Sequence, residues 1–182
     1  MKAGSFLPLI LLTFLLSLSP SSAQNGGILG KKAKPWDAAH WMNLPKDKKA
    51  LNPSDFEGKV IYLYCFQSWC PGCHSQGFPT LKKVSEHYEG DDDVVFIAIQ
   101  TVFEGFSTNT PKKVSAMAKR YGFSFPMAHS GTVKQKSALM KSYRTRGTPW
   151  TIIIDKKGVV RYNDFHISEK KATALIQTLK KS

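Results

Sequence analysis

Two uninterrupted apolar runs stand near the middle of the chain. Residues 60–66 read VIYLYCF and residues 94–99 read VVFIAI, and both are rich in β-branched and aromatic side chains. Runs of this length without polar alternation are typical of strands that are covered on both faces of a sheet. The pattern therefore predicts two buried strands, the first of them a central, parallel strand.

Helical patterns alternate with these runs and with further short strands. Thr110 is a typical N-cap, Pro111 suits the first helical position and Gly122 closes the same helix, while Ser168 opens a last helix. The rest of the pattern predicts a helix over 71–88, a short strand within 123–130, a helix over 133–143, and strands over 150–155 and 159–162 joined by a turn. This order of βαβ units, hairpin and helix predicts one three-layer α/β domain.

The chain begins with an apolar segment. Lys2 precedes an apolar run over residues 6–18, and Ser21 and Ala23 fit the small-residue pattern of a cleavage site. Because this run is shorter than the roughly 20 residues that span a membrane, it favours a signal peptide over residues 1–23, cleaved near Ala23, rather than an anchor. Residues 24–34, rich in Gly and Lys, predict a flexible leader, and residues 35–182 the domain. We expect a periplasmic or extracellular protein.

The chain of 182 residues is strongly basic, with a formal net charge of +13. Its lysines are dispersed in short clusters and do not form the long aromatic-interleaved stripe of single-strand nucleic-acid binders. The charge therefore predicts a solvated basic surface, compatible with proximity to an anionic membrane, and no nucleic-acid partner. We expect a monomeric or weakly associating protein.

The three cysteines are too few for a disulfide scaffold in an exported domain of this size. Cys70 falls where a central strand ends and a helix begins, and Pro71 suits the first helical turn. Cys70 would then be the N-cap, with its sulfur facing free backbone N–H groups that favour the reactive thiolate. Cys73 follows one turn later on the same side, within reach to resolve a mixed disulfide on Cys70. Cys65 lies inside the apolar strand and is interpreted as a buried, inert thiol.

Two separated motifs carry a family resemblance. The stretch SWCPGC after an apolar strand, with RGTPWTIIID downstream, resembles the thioredoxin superfamily and, within it, the exported TlpA-like or redoxin branch, over roughly residues 56–180. The resemblance implies a thioredoxin-like α/β fold: a central mixed β-sheet flanked by helices, with a TlpA-type insertion after the second strand and an N-terminal extension. It also implies that Pro149 is cis opposite the dithiol, that Thr148 and Pro149 hold a substrate chain, and that Trp69 covers the two cysteines.

The chain departs from the family pattern near the cysteines. Many relatives carry a buried acid in the preceding strand or three residues after the second cysteine, but Tyr64 and Gln76 stand there, and neither is an anionic base at neutral pH. His74 is the nearest titratable candidate; a solvent-facing role and a role in tuning the thiolate both remain open. Gly72 either lets the helix start approach a partner closely or serves packing.

The resemblance implies a thiol-disulfide oxidoreductase that needs no organic cofactor, since the redox-active pair Cys70–Cys73 carries the electrons. Its substrates would be protein thiols and disulfides. The dipeptide PG between the cysteines leaves the direction open. The branch suggests a reductase of particular exported thiols, for example in cytochrome c maturation or metal-site assembly, supplied by a membrane thiol donor. A general dithiol oxidant of exported proteins is the alternative.

Two other classes of function are also compatible with single features. PGC ending at Cys73 resembles the peroxiredoxin loop, and Arg144 or Arg146 would polarise peroxide, but Cys70 and Phe66 replace the threonine or serine and the proline of that motif. A zinc site lacks a second Cys or His pair, and the copper chaperones of the related Sco type have one more residue between their cysteines. We therefore predict no metal.

Overall fold

The computed structural model describes Met1 and residues 28–182. Apart from Met1, the predicted signal peptide lies outside the described residues, as do residues 24–27 of the predicted leader. Within the described part, a 3-10 turn spans Pro53–Phe56 and a π-helical turn spans Cys73–Gly77. The strands and α-helices follow in the order β1 (Ala39–Met42), β2 (Val60–Phe66), α1 (Phe78–His87), β3 (Val94–Thr101), α2 (Pro111–Tyr121), β4 (Met127–Ser130), α3 (Ala138–Tyr143), β5 (Trp150–Ile154), β6 (Val160–Asp164) and α4 (Glu169–Lys180).

The strands form one mixed sheet in the order β1-β4-β3-β2-β5-β6. β2 pairs in parallel with β3, and β3 with β4, whereas β1, β5 and β6 run antiparallel to their neighbours. The predicted thioredoxin-like fold is confirmed, with β2 as a central strand that is parallel to β3 on one side and antiparallel to β5 on the other.

The apolar run of β2 serves two cores because successive side chains point to opposite faces of the sheet. Tyr62, Tyr64 and Phe66 belong to the core under α1, α2 and α4. Ile61, Leu63 and Cys65 belong to the core on the other face, with Trp36 and Leu51 of the N-terminal extension and Leu139 and Tyr143 of α3. Both faces of β2 are covered by a core, which explains why polar residues do not alternate with apolar ones along this strand.

The predicted helix boundaries are confirmed where a cap defines them. Thr110 precedes α2 in an extended conformation, and Gly122 ends it in the left-handed region at φ 73°. The predicted helix over 133–143 is shorter, beginning at Ala138, because the preceding loop is fixed to the sheet: the Ser137 N–H donates to the Val102 carbonyl at 2.9 Å. This long-range backbone hydrogen bond outweighs the local helical pattern of the loop.

Residues 28–34 differ from the predicted flexible leader. Ile28 is buried, the Gly30 N–H donates to the Val160 carbonyl, and the Ala33 N–H donates to the Gly158 carbonyl, both at 2.8 Å. Lys32 also forms a bridge with Val159. The free edge of β6 offers unpaired backbone groups, and this segment satisfies them.

The carboxyl ends of β2, β3 and β4 meet at one edge of the sheet, as in other open α/β sheets. Cys70 follows β2, and residues 102–110, where the family insertion was expected, form a loop between β3 and α2. Among the described residues, no helix is long and apolar enough to cross a membrane.

Candidate active site

Cys70 caps the start of the helical segment after β2. Its sulfur accepts the Cys73 N–H at 3.4 Å, as the N-cap prediction requires, and its thiol donates to the Thr148 carbonyl at 3.4 Å. These contacts confirm the predicted geometry of Cys70. They also place it opposite the Thr148–Pro149 segment, whose peptide bond is cis, as the resemblance implies.

The predicted helix over 71–88 contains one wide turn. Over Cys73–Gly77 the helix is of the π type, and the Phe78 N–H bonds to the Cys73 carbonyl, five residues back. α1 then begins at Phe78, and Pro79, which has no N–H, falls in its first turn where no donor is needed. A π turn inserts one extra residue, so it changes which side chains face the sheet.

The two thiols of the motif lie in different surroundings. Cys70 is 8% exposed, whereas Cys73 is fully buried, and neither is in a disulfide. Burial raises the pKa of the Cys73 thiol to about 12, and the neighbouring Cys70 contributes in the same direction. The Gln67 N–H and the Tyr64 hydroxyl oppose this shift only in part. Cys70 is therefore placed to react with a partner, and Cys73 to react with Cys70.

Two glycines make room for Pro149 against the helix start. A Cβ atom at Gly72 would lie 3.1 Å from Pro149 Cδ, and one at Gly77 would lie 2.9 Å from Pro149 Cβ. A Cβ at Gly77 would also overlap the hydroxyl oxygen of Tyr64. Gln76, at the position where relatives carry an acid, is exposed, and the π turn presents Gly77 to the strand instead. The sequence analysis missed Gly77, whose role depends on this extra residue.

His74 is tied to the protein on both ring nitrogens. Nε2 lies 2.7 Å from the Ser68 carbonyl, which only accepts, so this nitrogen carries a proton. Nδ1 lies 2.7 Å from the Tyr121 hydroxyl, and the ring stacks beside Tyr121. The ring is half-buried, so the solvent-facing interpretation is wrong. Instead, His74 connects the segment before Trp69 to α2.

A buried amide fixes the same segment from the other side. Asn109 Oδ1 accepts the Ser68 N–H at 2.8 Å and the Ser68 hydroxyl at 2.9 Å, while its Nδ2 donates to Gln67 Oε1 at 2.9 Å. Asn109 is 1% exposed. The sequence offered one indication of this residue, its place directly before the Thr110 N-cap, but nothing indicated its distant partners.

Two large aromatic side chains are exposed, Trp69 next to Cys70 in the chain and Phe165 near Gly147. Trp69 is 45% exposed and Phe165 is 46% exposed, although large apolar side chains are usually covered. Phe165 packs edge-on against Trp150 at 5.3 Å between ring centroids, and a Cβ at Gly147 would lie 3.4 Å from its ring. Phe165 therefore stands beside the loop that ends in Thr148, a position that the sequence alone did not indicate.

The remaining candidates lie apart from this arrangement. Cys65 is fully buried in β2, and burial raises its pKa well above the ordinary value, in agreement with an inert thiol. A pocket of about 900 Å³ lies at the ends of β3 and β4, lined by His40, His129 and Asn109 but by neither Cys70 nor Cys73. In the described part of the chain, no cluster of three or more His, Cys, Asp or Glu side chains could hold a metal ion.

Comparison with known proteins agrees with this geometry. Residues 29–176 match the sequence profile of the Redoxin family. The chain is 27% identical to the thioredoxin-like protein YneN of Bacillus subtilis over 124 residues, which cover 68% of this chain and 64%, less than two thirds, of YneN. It is 23% identical to the thiol-disulfide oxidoreductase ResA of Bacillus cereus over 163 residues, or 88% of this chain and 87% of that protein.

Solved structures show the same architecture. The thioredoxin-like superfamily protein SPOA0173 superposes with a TM-score of 0.75 at 33% identity, covering 83% of this chain and 97% of that one. A thiol-disulfide isomerase from Corynebacterium glutamicum superposes with a TM-score of 0.68 at 27% identity, covering 87% of this chain and 98% of the other. Together with the capped Cys70 and the cis Pro149, these matches show that the chain belongs to the redoxin family, the TlpA-like branch of the thioredoxin superfamily.

Proposed function

We propose that this protein is an exported reductase of particular protein disulfides, in which Cys70 attacks and Cys73 resolves. One observation carries the proposal. The outer thiol, Cys70, is hydrogen-bonded to the Thr148 carbonyl, and the second thiol, Cys73, is fully buried one turn away. Cys70 attacks the substrate disulfide and forms a mixed disulfide; Cys73 then displaces the substrate thiol and leaves a Cys70–Cys73 disulfide.

The charges around the pair support one direction of electron flow. A dithiol becomes strongly oxidising when a cation stabilises its reduced, thiolate form. The nearest candidate cation, His74, has both ring nitrogens engaged by the Ser68 carbonyl and the Tyr121 hydroxyl. It therefore offers no proton to Cys70, which supports a reductase rather than a general oxidant.

The substrate would dock as an extended chain beside Thr148 and Pro149, between exposed aromatic side chains. Trp69 and Phe165 supply apolar contact area there. The exposed Arg144 and Arg146 stand in the loop that leads to Thr148. A membrane thiol donor would recharge the dithiol, and export would depend on the predicted signal peptide.

A peroxidase is the second candidate, and the site disfavours it. A peroxide-reducing cysteine has to be an accessible thiolate. Cys73, which the motif would assign to that role, is fully buried, and burial raises its pKa to about 12.

The reduction potential of the purified protein tests the proposal. After equilibration against glutathione or dithiothreitol buffers, we expect the Cys70–Cys73 couple near the thioredoxin value of about −270 mV. A value near about −120 mV would instead make the protein an oxidant. A Cys65→Ser variant is the control, because Cys65 is buried in β2 and its removal should leave the potential unchanged. If no Cys70–Cys73 disulfide forms at any potential of the redox buffer, the proposal fails.

A further inference from the structure

The hydroxyl group of Tyr64 is buried without a hydrogen-bond partner. Tyr64 is 1% exposed, and its oxygen is one of the few buried polar side-chain atoms without a partner among the described residues. Such an atom is costly to bury and needs an explanation in a well-packed core. A phenylalanine would fill the same space without this cost.

The surroundings of the hydroxyl explain its position. The ring packs edge-on against Phe78 at 5.3 Å, which fixes its plane. The hydroxyl oxygen occupies the space left by the missing side chain of Gly77. The polar group beside it is the Cys73 thiol, and the two groups affect each other's ionisation.

Among the described side chains around Cys73, one is left to donate a hydrogen bond to a negatively charged Cys73 sulfur. The neighbouring groups are Tyr64 on β2, Cys70 on the helical segment, and Tyr121 on α2 with its partner His74, whereas Cys65 of β2 belongs to the core on the other face of the sheet. Cys65 is inert, Cys70 is the reaction partner, and the hydrogen bonds of His74 and Tyr121 to each other already engage these two side chains. Burial raises the pKa of Tyr64 well above its ordinary value, so its hydroxyl keeps its proton and acts as a donor, not as a base.

We propose that Tyr64 is a catalytic residue of the resolving step: its hydroxyl, unpaired in the dithiol, donates a hydrogen bond to the thiolate of Cys73 while that thiolate attacks Cys70. This inference rests on the proposed function and concerns only its second half. An interaction made only in the reactive state speeds the step, whereas one made equally in the resting state does not. An unpaired hydroxyl in the resting dithiol meets this condition.

The step balances without a protein base. The Cys73 proton passes to solvent hydroxide, the Cys73 sulfur bonds to the Cys70 sulfur, and the bond between Cys70 and the substrate sulfur breaks. The substrate leaves as a thiolate and takes a proton from water. Because Tyr64 donates and does not accept the proton, the rate of resolution should rise tenfold for each pH unit up to the pKa of Cys73.

A coloured aromatic disulfide, 5,5′-dithiobis(2-nitrobenzoate), separates the two halves of the reaction in the full protein. The first thiolate released reports attack by Cys70, and the second reports resolution by Cys73. We expect Tyr64→Phe to slow the second release at least tenfold between pH 6 and 9 and to leave the first release within twofold.

Tyr62→Phe is the matched control, because Tyr62 lies two residues earlier on the same strand, faces the same core and is equally buried. It should leave both releases unchanged. The inference is overturned if the second release of Tyr64→Phe stays within twofold of wild type, or if Tyr62→Phe slows it equally.

The wild-type pH profile gives an independent test that needs no variant. If the logarithm of the rate of the second release rises by one unit per pH unit from pH 6 to 9, the result agrees with the inference. A plateau in that range contradicts the inference, because it reveals a base. Failure of the proposed function would look different, since both thiolates would still be released while the potential of the Cys70–Cys73 couple would lie near about −120 mV.

Discussion

The two cysteines of the motif are three residues apart, yet they belong to different regions of the molecule. Cys70 lies at the outer edge, bonded to the Thr148 carbonyl and flanked by the exposed Trp69. Cys73 lies in the core formed by β2 and the helices, in the same cluster as Tyr64. The difference shows that burial gives the two thiols different roles: the outer region meets the substrate, and the inner region sets when the substrate is released.

Exchanging each cysteine for serine gives the largest expected effect and tests this division directly. Cys70→Ser should form no adduct with a protein disulfide, because the outer thiol is the attacking group. Cys73→Ser should accumulate a stable mixed disulfide, because the resolving thiol is gone. Intact-mass spectrometry distinguishes the two. Adduct formation on Cys73 in the Cys70→Ser variant would contradict the comparison.

Adding one methyl group at Gly77 should damage the inner region. The new Cβ would lie 2.7 Å from Tyr64 Cζ and 2.9 Å from Pro149 Cβ, both closer than real contacts allow. We expect Gly77→Ala to lower the free energy of unfolding by about 2–3 kcal/mol, within the usual range for overpacked cores. Urea denaturation measures this loss.

Ser75→Ala is the control for that substitution, since Ser75 lies in the same π turn but is exposed. Its effect should stay within about 0.5 kcal/mol. If Gly77→Ala is equally mild, the helix start is free to move away from Pro149, and the inner region is less tightly packed than described.

Removing an aromatic side chain from the outer region should have the smallest effect on stability. Phe165→Ala loses the contact with Trp150, worth about 1 kcal/mol. Reduction of a protein disulfide such as insulin should slow about threefold to tenfold, the equivalent of about 1 kcal/mol of contact. Reaction with a small aromatic disulfide should not change.

Val133→Ala is the matched control, because it also shortens an exposed apolar side chain: Val133 is 76% exposed on the loop after β4. It should change neither rate. Equal slowing of both disulfides by Phe165→Ala would mean that Phe165 supports the dithiol itself and does not contact the substrate.

Local patterns predicted most of the fold because they describe local physics. The apolar runs of β2 and β3 have no polar positions since both faces are covered, and Thr110, Pro111 and Gly122 delimit α2 through their own backbone preferences. Residues 133–137 were predicted as the start of a helix because their fixation depends on Val102, 35 positions before Ser137. Residues 28–34 were predicted to be flexible for the same reason, as their partners are residues 158–160, at the start of β6.

The sequence by itself determined the position of the dithiol: a strand run, a capping Cys70 and Pro71 place the pair at a strand-to-helix junction. Only the tertiary structure decided which thiol is buried and what surrounds it. Cys70 meets Thr148 across 78 positions, and Ser68 meets Asn109 across 41.

One extra residue in the π turn brings Gly77, and not Gln76, against Tyr64. Since each residue turns a helix by about 100°, a single insertion of this kind changes the facing side chain, and no local pattern announces it.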